Sequence, residues 1–283
     1  MGFHAFPNVY TSNVTLKVKN LEKSILFYET IIGFKVSEKS KGKAILTADG
    51  KTPLLYLEQL DHIESKQGRT AGLYHFALLV PNRADLGMIL QHLLQTGYPL
   101  QGASDHNVSE AIYLADPDGN GIEIYRDLSL EFWEWTGDFV KMDTLPLDAE
   151  AVLEAGSSQE WNGLPERTII GHIHLHVGDL DKTVRFYVEG LGFQIVQKYG
   201  NQAYFISTGN YHHHIGLNIW NGIGVPAPKE NHTGLKYFEL KLPSLESSEQ
   251  IENRLKEMGV SYTREHNIIY TADPSGNPIR LTI

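Results

Sequence analysis

Hydrophobic and polar residues alternate near the start of the chain and then change to helical spacing. Residues 13–18 alternate between apolar and polar side chains, which is typical of a strand with one buried face. Apolar residues in the stretch 21–32 recur at intervals of three or four, as on one face of a helix. Asn20 stands before that stretch as a candidate N-cap, and Gly33 stands after it where a left-handed helix end favours glycine. The pattern predicts a strand followed by a helix.

The same order of strand, helix and returning strands recurs along the chain. Further predicted elements are strands at 44–47 and 54–58 in the first unit, and a strand at 75–80, a helix at 85–95 and strands at 112–115 and 122–125 in the second. A third unit covers residues 172–220 and a fourth covers residues 236–283. The chain therefore contains four units of one kind.

The repeat is visible in the residues themselves. Residues 13–28 align without a gap to residues 172–187, and the Asp-Pro-Asp-Gly-Asn turn at 116–120 recurs as Asp-Pro-Ser-Gly-Asn at 273–277. We predict one domain at residues 8–127, an acidic linker at 128–167 and a second domain at 168–283, each domain containing two units. The linker carries a predicted helix at 148–154 and the tryptophans Trp133, Trp135 and Trp161, which we expect to pack on the body of the protein.

The amino-acid composition limits which metal ligands and which binding partners are possible. The chain has no cysteine, which excludes disulfides and thiolate metal sites, so a metal would be held by nitrogen and oxygen. The net charge is −10, and no basic stripe that would favour nucleic acid is visible. No apolar run approaches the roughly 20 residues that a membrane span needs. We expect no membrane association and a cytoplasmic protein.

Four strand–helix–strand–strand–strand units with these signatures resemble the vicinal oxygen chelate (glyoxalase, bleomycin resistance protein and dioxygenase) superfamily, and within it the extradiol, catechol 2,3-type dioxygenases. The resemblance implies an α+β fold in which four βαβββ units form two barrels or cups with helices outside. The alternation of residues 172–177 agrees with such a cup: Ile173, Leu175 and Val177 share one face, and His172, His174 and His176 share the other.

The resemblance also implies a ligand set. The family's first-strand ligand is a histidine five residues before the hydrophobic end of the strand, a position that His75 and His172 occupy. Its ligand carboxylate lies four residues after the glycine of the Asp-Pro-x-Gly turn, a position that Glu123 occupies. The corresponding residues of the first and fourth units are Asn13, Tyr237 and Arg280, and Arg280 cannot bind a metal.

This layout departs from the usual extradiol pattern, in which the last two units hold all three ligands. We infer that units two and three form the metal cup, while a neighbouring chain as the source of His172 stays an alternative. We interpret His174 and His176 as hydrogen-bonded residues that are not ligands. Two histidines and one carboxylate leave one face of an ion open, which suits Fe(II), with Mn(II) as the alternative.

Residues beside the ligand set complete the predicted site. His212-His213-His214 resembles the histidine pair of extradiol enzymes, and His213 aligns with the acid–base member, with His214 as the alternative one residue away. Tyr113 has the offset of the family's active-site tyrosine, and His106 is a candidate contact for the substrate's oxygens.

The resemblance implies ring cleavage of a catechol-type aromatic diol with O₂. The last strand of the third unit carries no acid, which favours a dioxygenase over a four-ligand isomerase. A metal-dependent glyoxalase-like isomerase or lyase and a non-catalytic aromatic-ligand binding protein are the alternatives. The expected partners are the small diol and O₂, and a homodimer stays open.

Overall fold

Four βαβββ units and a linker make up the protein, which we describe from a computed structural model of residues 2–283. Unit one consists of β1 (Tyr10–Lys17), α1 (Leu21–Phe27), β2 (Lys35–Ser40), β3 (Lys43–Thr47) and β4 (Pro53–Glu58). Unit two consists of β5 (Gly72–Leu79), α2 (Arg83–Thr96), β6 (Leu100–Asp105), β7 (Ser109–Ala115) and β8 (Gly121–Asp127). The linker contains β9 (Trp135–Thr136), β10 (Phe139–Val140), β11 (Leu145–Pro146) and α3 (Ala149–Gly156).

The second half of the chain repeats the order of elements. Unit three consists of β12 (Ile169–His176), α4 (Leu180–Arg185), β13 (Gln194–Tyr199), β14 (Ala203–Ser207) and β15 (Ile215–Asn218). Unit four consists of β16 (Gly234–Lys241), α5 (Leu245–Glu257), β17 (Tyr262–Glu265), β18 (Ile268–Ala272) and β19 (Pro278–Thr282). The predicted α+β architecture of four such units is confirmed. No helix within residues 2–283 is long and apolar enough to cross a membrane.

The two large sheets each combine one unit from either half of the sequence. Units two and three, together with the linker strand β11, form a nine-stranded sheet in the order β11-β6-β7-β8-β5-β12-β15-β14-β13, which we call the histidine cup. Units four and one share an eight-stranded sheet in the order β17-β18-β19-β16-β1-β4-β3-β2, which we call the arginine cup. The predicted pairing of units two and three is confirmed, and it occurs within one chain. The domain boundaries at 8–127 and 168–283 stay a prediction.

The α-helices of units one and three, α1 and α4, each end in a π-helical turn and are shorter than the apolar pattern predicts. Asn20 caps α1 by accepting a hydrogen bond from the Lys23 backbone, but α1 ends at Phe27 and a π-helical turn follows at Tyr28–Ile32. Gly33 closes that turn in the left-handed region at φ 93°, as expected. Unit three has the same π-helical turn at Phe186–Gly190.

Two of the three tryptophans of the linker pack on the body. Trp133 is buried, and Trp161 stacks on His92 with 3.7 Å between the ring centroids. Trp135 lies at the surface with 36% of its area exposed, so the expectation for this residue was wrong. Helix α3 begins after Asp148, whose side chain caps it, close to the predicted start.

Candidate metal centre

Three of the predicted site residues meet at one point on the floor of the histidine cup. Glu123 Oε2 lies 3.0 Å from His75 Nε2 and 3.1 Å from His172 Nε2, and the two nitrogens are 3.3 Å apart. All three side chains are buried. Ligand atoms at about 2.1 Å from one ion and at right angles to each other are separated by roughly 3 Å, so the observed spacing fits a bound ion.

Strand register brings these side chains together. His172 on β12 is paired with Ala77 on β5, and Ala77 is paired in turn with Glu123 on β8. His172 and Glu123 therefore occupy one row across the sheet, with a small side chain between them. His75 lies two residues from Ala77, on the same face of β5. The methyl group of Ala77 leaves room for both longer side chains to meet above it.

The electrostatics of the group favour metal ligation. Burial alone would raise the pKa of Glu123, but the imidazoles of His172 and His75 hold it well below its ordinary value. Burial lowers the pKa of His172 to about 4, although Glu123 opposes that effect. A charged carboxylate and a neutral imidazole are the forms that bind metals. Two nitrogens and one oxygen in this arrangement suit a divalent transition-metal ion.

A cavity of about 420 Å³ opens over His75 and Glu123. Five aromatic side chains are part of its walls, namely Tyr74, Tyr113, Tyr199, Phe205 and Trp220. Such a cavity, with a few polar groups converging at its floor, is the usual form of a small-molecule site.

Tyr113 and His106 form one polar wall of the cavity. Tyr113 Oη lies 2.6 Å from His106 Nε2, and His106 Nδ1 lies 2.7 Å from the Asp143 carbonyl oxygen. Because a carbonyl only accepts, His106 Nδ1 donates to Asp143 and the neutral ring's Nε2 accepts from the tyrosine. Burial and the Glu123 carboxylate raise the pKa of Tyr113 well above its ordinary value, so its phenol stays protonated.

The structure distinguishes the members of the histidine triplet. His213 lines the cavity, and its ring centroid is 4.1 Å from that of His172. Burial lowers the pKa of His213 well below its ordinary value. His214 is not a lining residue: its Nε2 faces the Phe3 carbonyl oxygen at 3.2 Å and its Nδ1 faces Ser207 Oγ at 3.1 Å. Of the two, only His213 is placed to meet a ligand in the cavity.

Two other groups at this site differ from what the sequence indicated. His174 was interpreted as a hydrogen-bonded residue, but it lines the cavity and its buried Nε2 has no partner within residues 2–283, so that interpretation was wrong for this atom. Its only sequence signal was its position on the same strand face as His172. Asp127, at the end of β8, contacts His212 Nε2 at 2.9 Å. Nothing in the sequence links residues that lie so far apart. His176, interpreted as a hydrogen-bonded residue, contacts Asn218 Oδ1 at 2.7 Å.

Comparison with known proteins identifies relatives of the whole chain. The Glyoxalase/Bleomycin resistance protein/Dioxygenase superfamily matches residues 12–124 and 169–281. A catechol-2,3-dioxygenase of Bacillus subtilis (strain 168) is 45% identical over 263 residues, which cover 92% of each chain. A putative dioxygenase structure from Bacillus subtilis has a TM-score of 0.64 at 15% identity, covering 96% of this chain and 84% of that one. Glyoxalase I from Zea mays has a TM-score of 0.59 at 15% identity, covering 96% and 92%. At these identities the two structures show the fold alone.

Proposed function

Because the chain belongs to the Glyoxalase/Bleomycin resistance protein/Dioxygenase superfamily, we propose that it is an extradiol dioxygenase that cleaves a catechol-type aromatic diol with O₂. One observation carries the proposal: the group of His75, Glu123 and His172 opens into an aromatic cavity with His213 beside it. The 45% identity to a catechol-2,3-dioxygenase supports the same activity.

His75, Glu123 and His172 would hold the metal, which we propose is Fe(II), with Mn(II) as the alternative that the same donors accept. An ion bound there supplies Lewis acidity and a template for two reactants. The buried carboxylate of Glu123 would contribute most to retention of the metal ion, because it is the one anionic group of the three. Its cost of burial is offset when a cation lies against it.

His213 is the proposed acid–base residue. Its neutral ring faces the cavity, where it can accept the proton of a diol hydroxyl and return a proton to oxygen later in the reaction. Tyr113 donates its own hydrogen to His106, which leaves the phenol oxygen free to accept a hydrogen bond from a diol hydroxyl. We assign the contact with substrate oxygen to Tyr113, whose hydroxyl is oriented by His106, and not to His214, which lies outside the cavity wall.

The aromatic walls orient the ring. Phe205 and Trp220 both lie against His174, with centroid separations of 5.6 Å and 5.3 Å, and Tyr74 lies 5.2 Å from Trp220. A flat diol can stack on such side chains. Binding there displaces water from the cavity and places the two oxygens toward the ligand group.

The glyoxalase-like alternative is less well supported. Four-ligand relatives would need a second carboxylate on the last strand of unit three, and β15 (Ile215–Asn218) has no acidic residue. The group within residues 2–283 that could hold a metal ion has three members, namely His75, Glu123 and His172. The proposed site therefore keeps open positions for both a diol and O₂.

The test is anaerobic loading of the protein with Fe(II), followed by catechol and air. We expect O₂ uptake together with a yellow ring-fission product. His213→Ala should retain iron but lower kcat by about 100-fold or more, because it removes the acid–base group. If the metal-loaded protein consumes no O₂ with catechol or its alkyl-substituted forms, the proposed activity is wrong.

A further inference from the structure

We propose that Asp127 and His212 are positioning residues that fix the direction of the hydrogen bonds of His213, so that a ring nitrogen without hydrogen faces the cavity. This inference rests on the proposed function, because it concerns the residue proposed to exchange protons with the diol. The three side chains form one line that begins behind the cup and ends at the cavity wall.

The contacts along this line are short and continuous. His212 Nε2 lies 2.9 Å from Asp127 Oδ1, and His212 Nδ1 lies 2.8 Å from His213 Nδ1. His213 thus reaches His212 through one ring nitrogen, which leaves Nε2 as the nitrogen available to the cavity that His213 lines. His213 is the one histidine of the triplet that contacts another imidazole through one ring nitrogen and also lines the cavity.

The chemistry of the three groups determines which atom donates. A carboxylate oxygen only accepts, so His212 Nε2 carries the hydrogen that points at Asp127. With its hydrogen held on Nε2 by Asp127, His212 presents the electron pair of Nδ1, and the 2.8 Å contact is then a bond donated by His213 Nδ1. His213 in turn has its hydrogen on Nδ1 and a free electron pair on Nε2.

The surroundings hold the line rigid. The ring of His212 is fully buried, and it lies 4.0 Å from the ring of Tyr211 and 5.1 Å from that of Trp133 between centroids. Tyr211 Oη also donates to Asp127 Oδ1 at 3.1 Å, so one carboxylate oxygen is fixed by two donors.

Strand β8 couples this line to the ligand group. Glu123 and Asp127 are four residues apart on β8, and residues four apart on a strand share a face. One strand thus carries both the anionic ligand and the carboxylate that orients His213. The residues of the line come from both units of the histidine cup, as the ligands do.

Paired substitutions separate positioning from packing. His212→Phe and Asp127→Leu keep the bulk but remove the acceptors, and we expect each to lower kcat on the order of 10- to 100-fold. KM for catechol and the iron content should stay near wild type. His212→Asn and Asp127→Asn should recover most of kcat, since an amide oxygen can accept from His213 Nδ1 or from His212 Nε2. Tyr211→Phe removes the second donor to Asp127 Oδ1 and keeps the bond from His212, so it should lower kcat less than Asp127→Leu does.

A spectroscopic readout on the metal-free protein is independent of turnover. In protein labelled with ¹⁵N-histidine, His213 Nε2 should give the signal of a nitrogen without hydrogen and Nδ1 that of a protonated one. Asp127→Leu should weaken this preference. A wild-type His213 with its hydrogen on Nε2, or unchanged kcat in both His212→Phe and Asp127→Leu, would show that the inference is wrong. Absence of O₂ uptake in wild type would count against the proposed function, and the nitrogen signals would still decide the inference.

Discussion

The histidine cup and the arginine cup have the same strand pairing at their centres. They differ in the residues that occupy one row across the central strands and in how the carboxylate of that row is paired. In the histidine cup the row is His172, Ala77 and Glu123. In the arginine cup the matching row is Asn13, Glu239 and Arg280. Arg280 Nε lies 3.4 Å from Glu239 Oε2, so the acid in the middle of the row is paired with a cation from the protein itself.

The difference teaches that the fold alone does not make a metal site. The arginine cup fills the middle position with a carboxylate and neutralises it internally. The histidine cup places a methyl group there and moves the carboxylate to the edge of the row, where its neighbours are imidazoles. Only the second arrangement leaves a buried anion that an external cation can stabilise.

The largest expected effect is loss of the metal from the histidine cup. Glu123→Gln keeps the shape of the side chain but removes its charge. We expect the variant to lose iron on desalting after anaerobic loading, and therefore to show no O₂ uptake with catechol. Elemental analysis and an oxygen electrode measure the two effects. His75→Ala should behave in the same way.

The arginine cup supplies the matched control for that prediction. Tyr237 takes the place in unit four that His75 takes in unit two, and Tyr237→Phe should leave iron content and turnover unchanged. Retention of iron by both Glu123→Gln and His75→Ala would show that the ligands have been assigned to the wrong residues.

The next effect concerns the position just before the row in each cup. Gly171 precedes His172, and a Cβ atom on it would lie 1.9 Å from Tyr125 Oη. Tyr125 is fully buried and is bonded to Tyr211 Oη at 2.6 Å, so it has little room to move. We expect Gly171→Ser to lower the free energy of unfolding by about 3 kcal/mol through overpacking, as measured by urea denaturation.

The counterpart of Gly171 in the arginine cup is Ser12, whose hydroxyl donates to Glu239 Oε1 at 3.0 Å. Ser12→Gly should therefore cost about 1 to 2 kcal/mol, because it removes this bond and the longer one that Asn13 Nδ2 donates to Ser12 Oγ at 3.3 Å. Equal costs for Gly171→Ser and Ser12→Gly would mean that the two cups are packed alike at this position, contrary to what the contact with Tyr125 implies.

A smaller effect is expected from breaking the ion pair of the arginine cup. Arg280→Met leaves the buried carboxylate of Glu239 without its cation, which should cost about 2 kcal/mol in unfolding free energy because the arginine is partly exposed. Adding Glu239→Leu removes the unpaired charge and should recover most of that loss. A double-mutant cycle from urea denaturation measures the coupling. Strictly additive costs would show that the two residues do not interact.

The sequence predicts the parts of the fold that depend on local pattern. Alternation identified the strands that carry the ligands, and Asn20 and Gly33 marked the two ends of the first helical segment. The π-helical turn at Tyr28–Ile32 was not predicted, because a bond from Gly33 N to the Tyr28 carbonyl uses residues that fit an α-helix equally well. Strand β2 was missed because five of its six residues are exposed and show no buried face.

The grouping of the three candidate ligands could be predicted because they share fixed offsets within a repeat unit. His75, His172 and Glu123 came from such offsets, and the structure places them together. The contact of Asp127 with His212 could not be predicted, because it joins units two and three across 85 positions of the chain. The contact between Asp127 and His212 arises where the end of β8 meets the loop that precedes β15. A tertiary contact of this kind has no signature in the local sequence pattern.

The smallest expected effect compares the aspartates of the two repeated turns. Asp116 in the histidine cup accepts a hydrogen bond from Tyr28 Oη at 2.9 Å, whereas Asp273 in the arginine cup accepts from Tyr187 Oη at 3.4 Å. Burial raises the pKa of both carboxyls, and that of Asp273 rises to about 6. Burial is the largest cause of the raised pKa in both, and the longer bond from Tyr187 opposes it less at Asp273 than a shorter bond would.

The raised pKa of Asp273 fixes the sign of its pH dependence. A carboxyl whose pKa is higher in the folded protein contributes stability below its ordinary pKa, and that contribution is lost as the pH rises through about 6. The stability of wild type relative to Asp273→Asn should therefore fall by about 1 kcal/mol between pH 5 and pH 7. The same comparison with Asp116→Asn should give a smaller fall, because Tyr28 makes the shorter bond. Urea denaturation at both pH values measures each difference, and a rise with pH for Asp273 would mean that its charged form is the stabilised one.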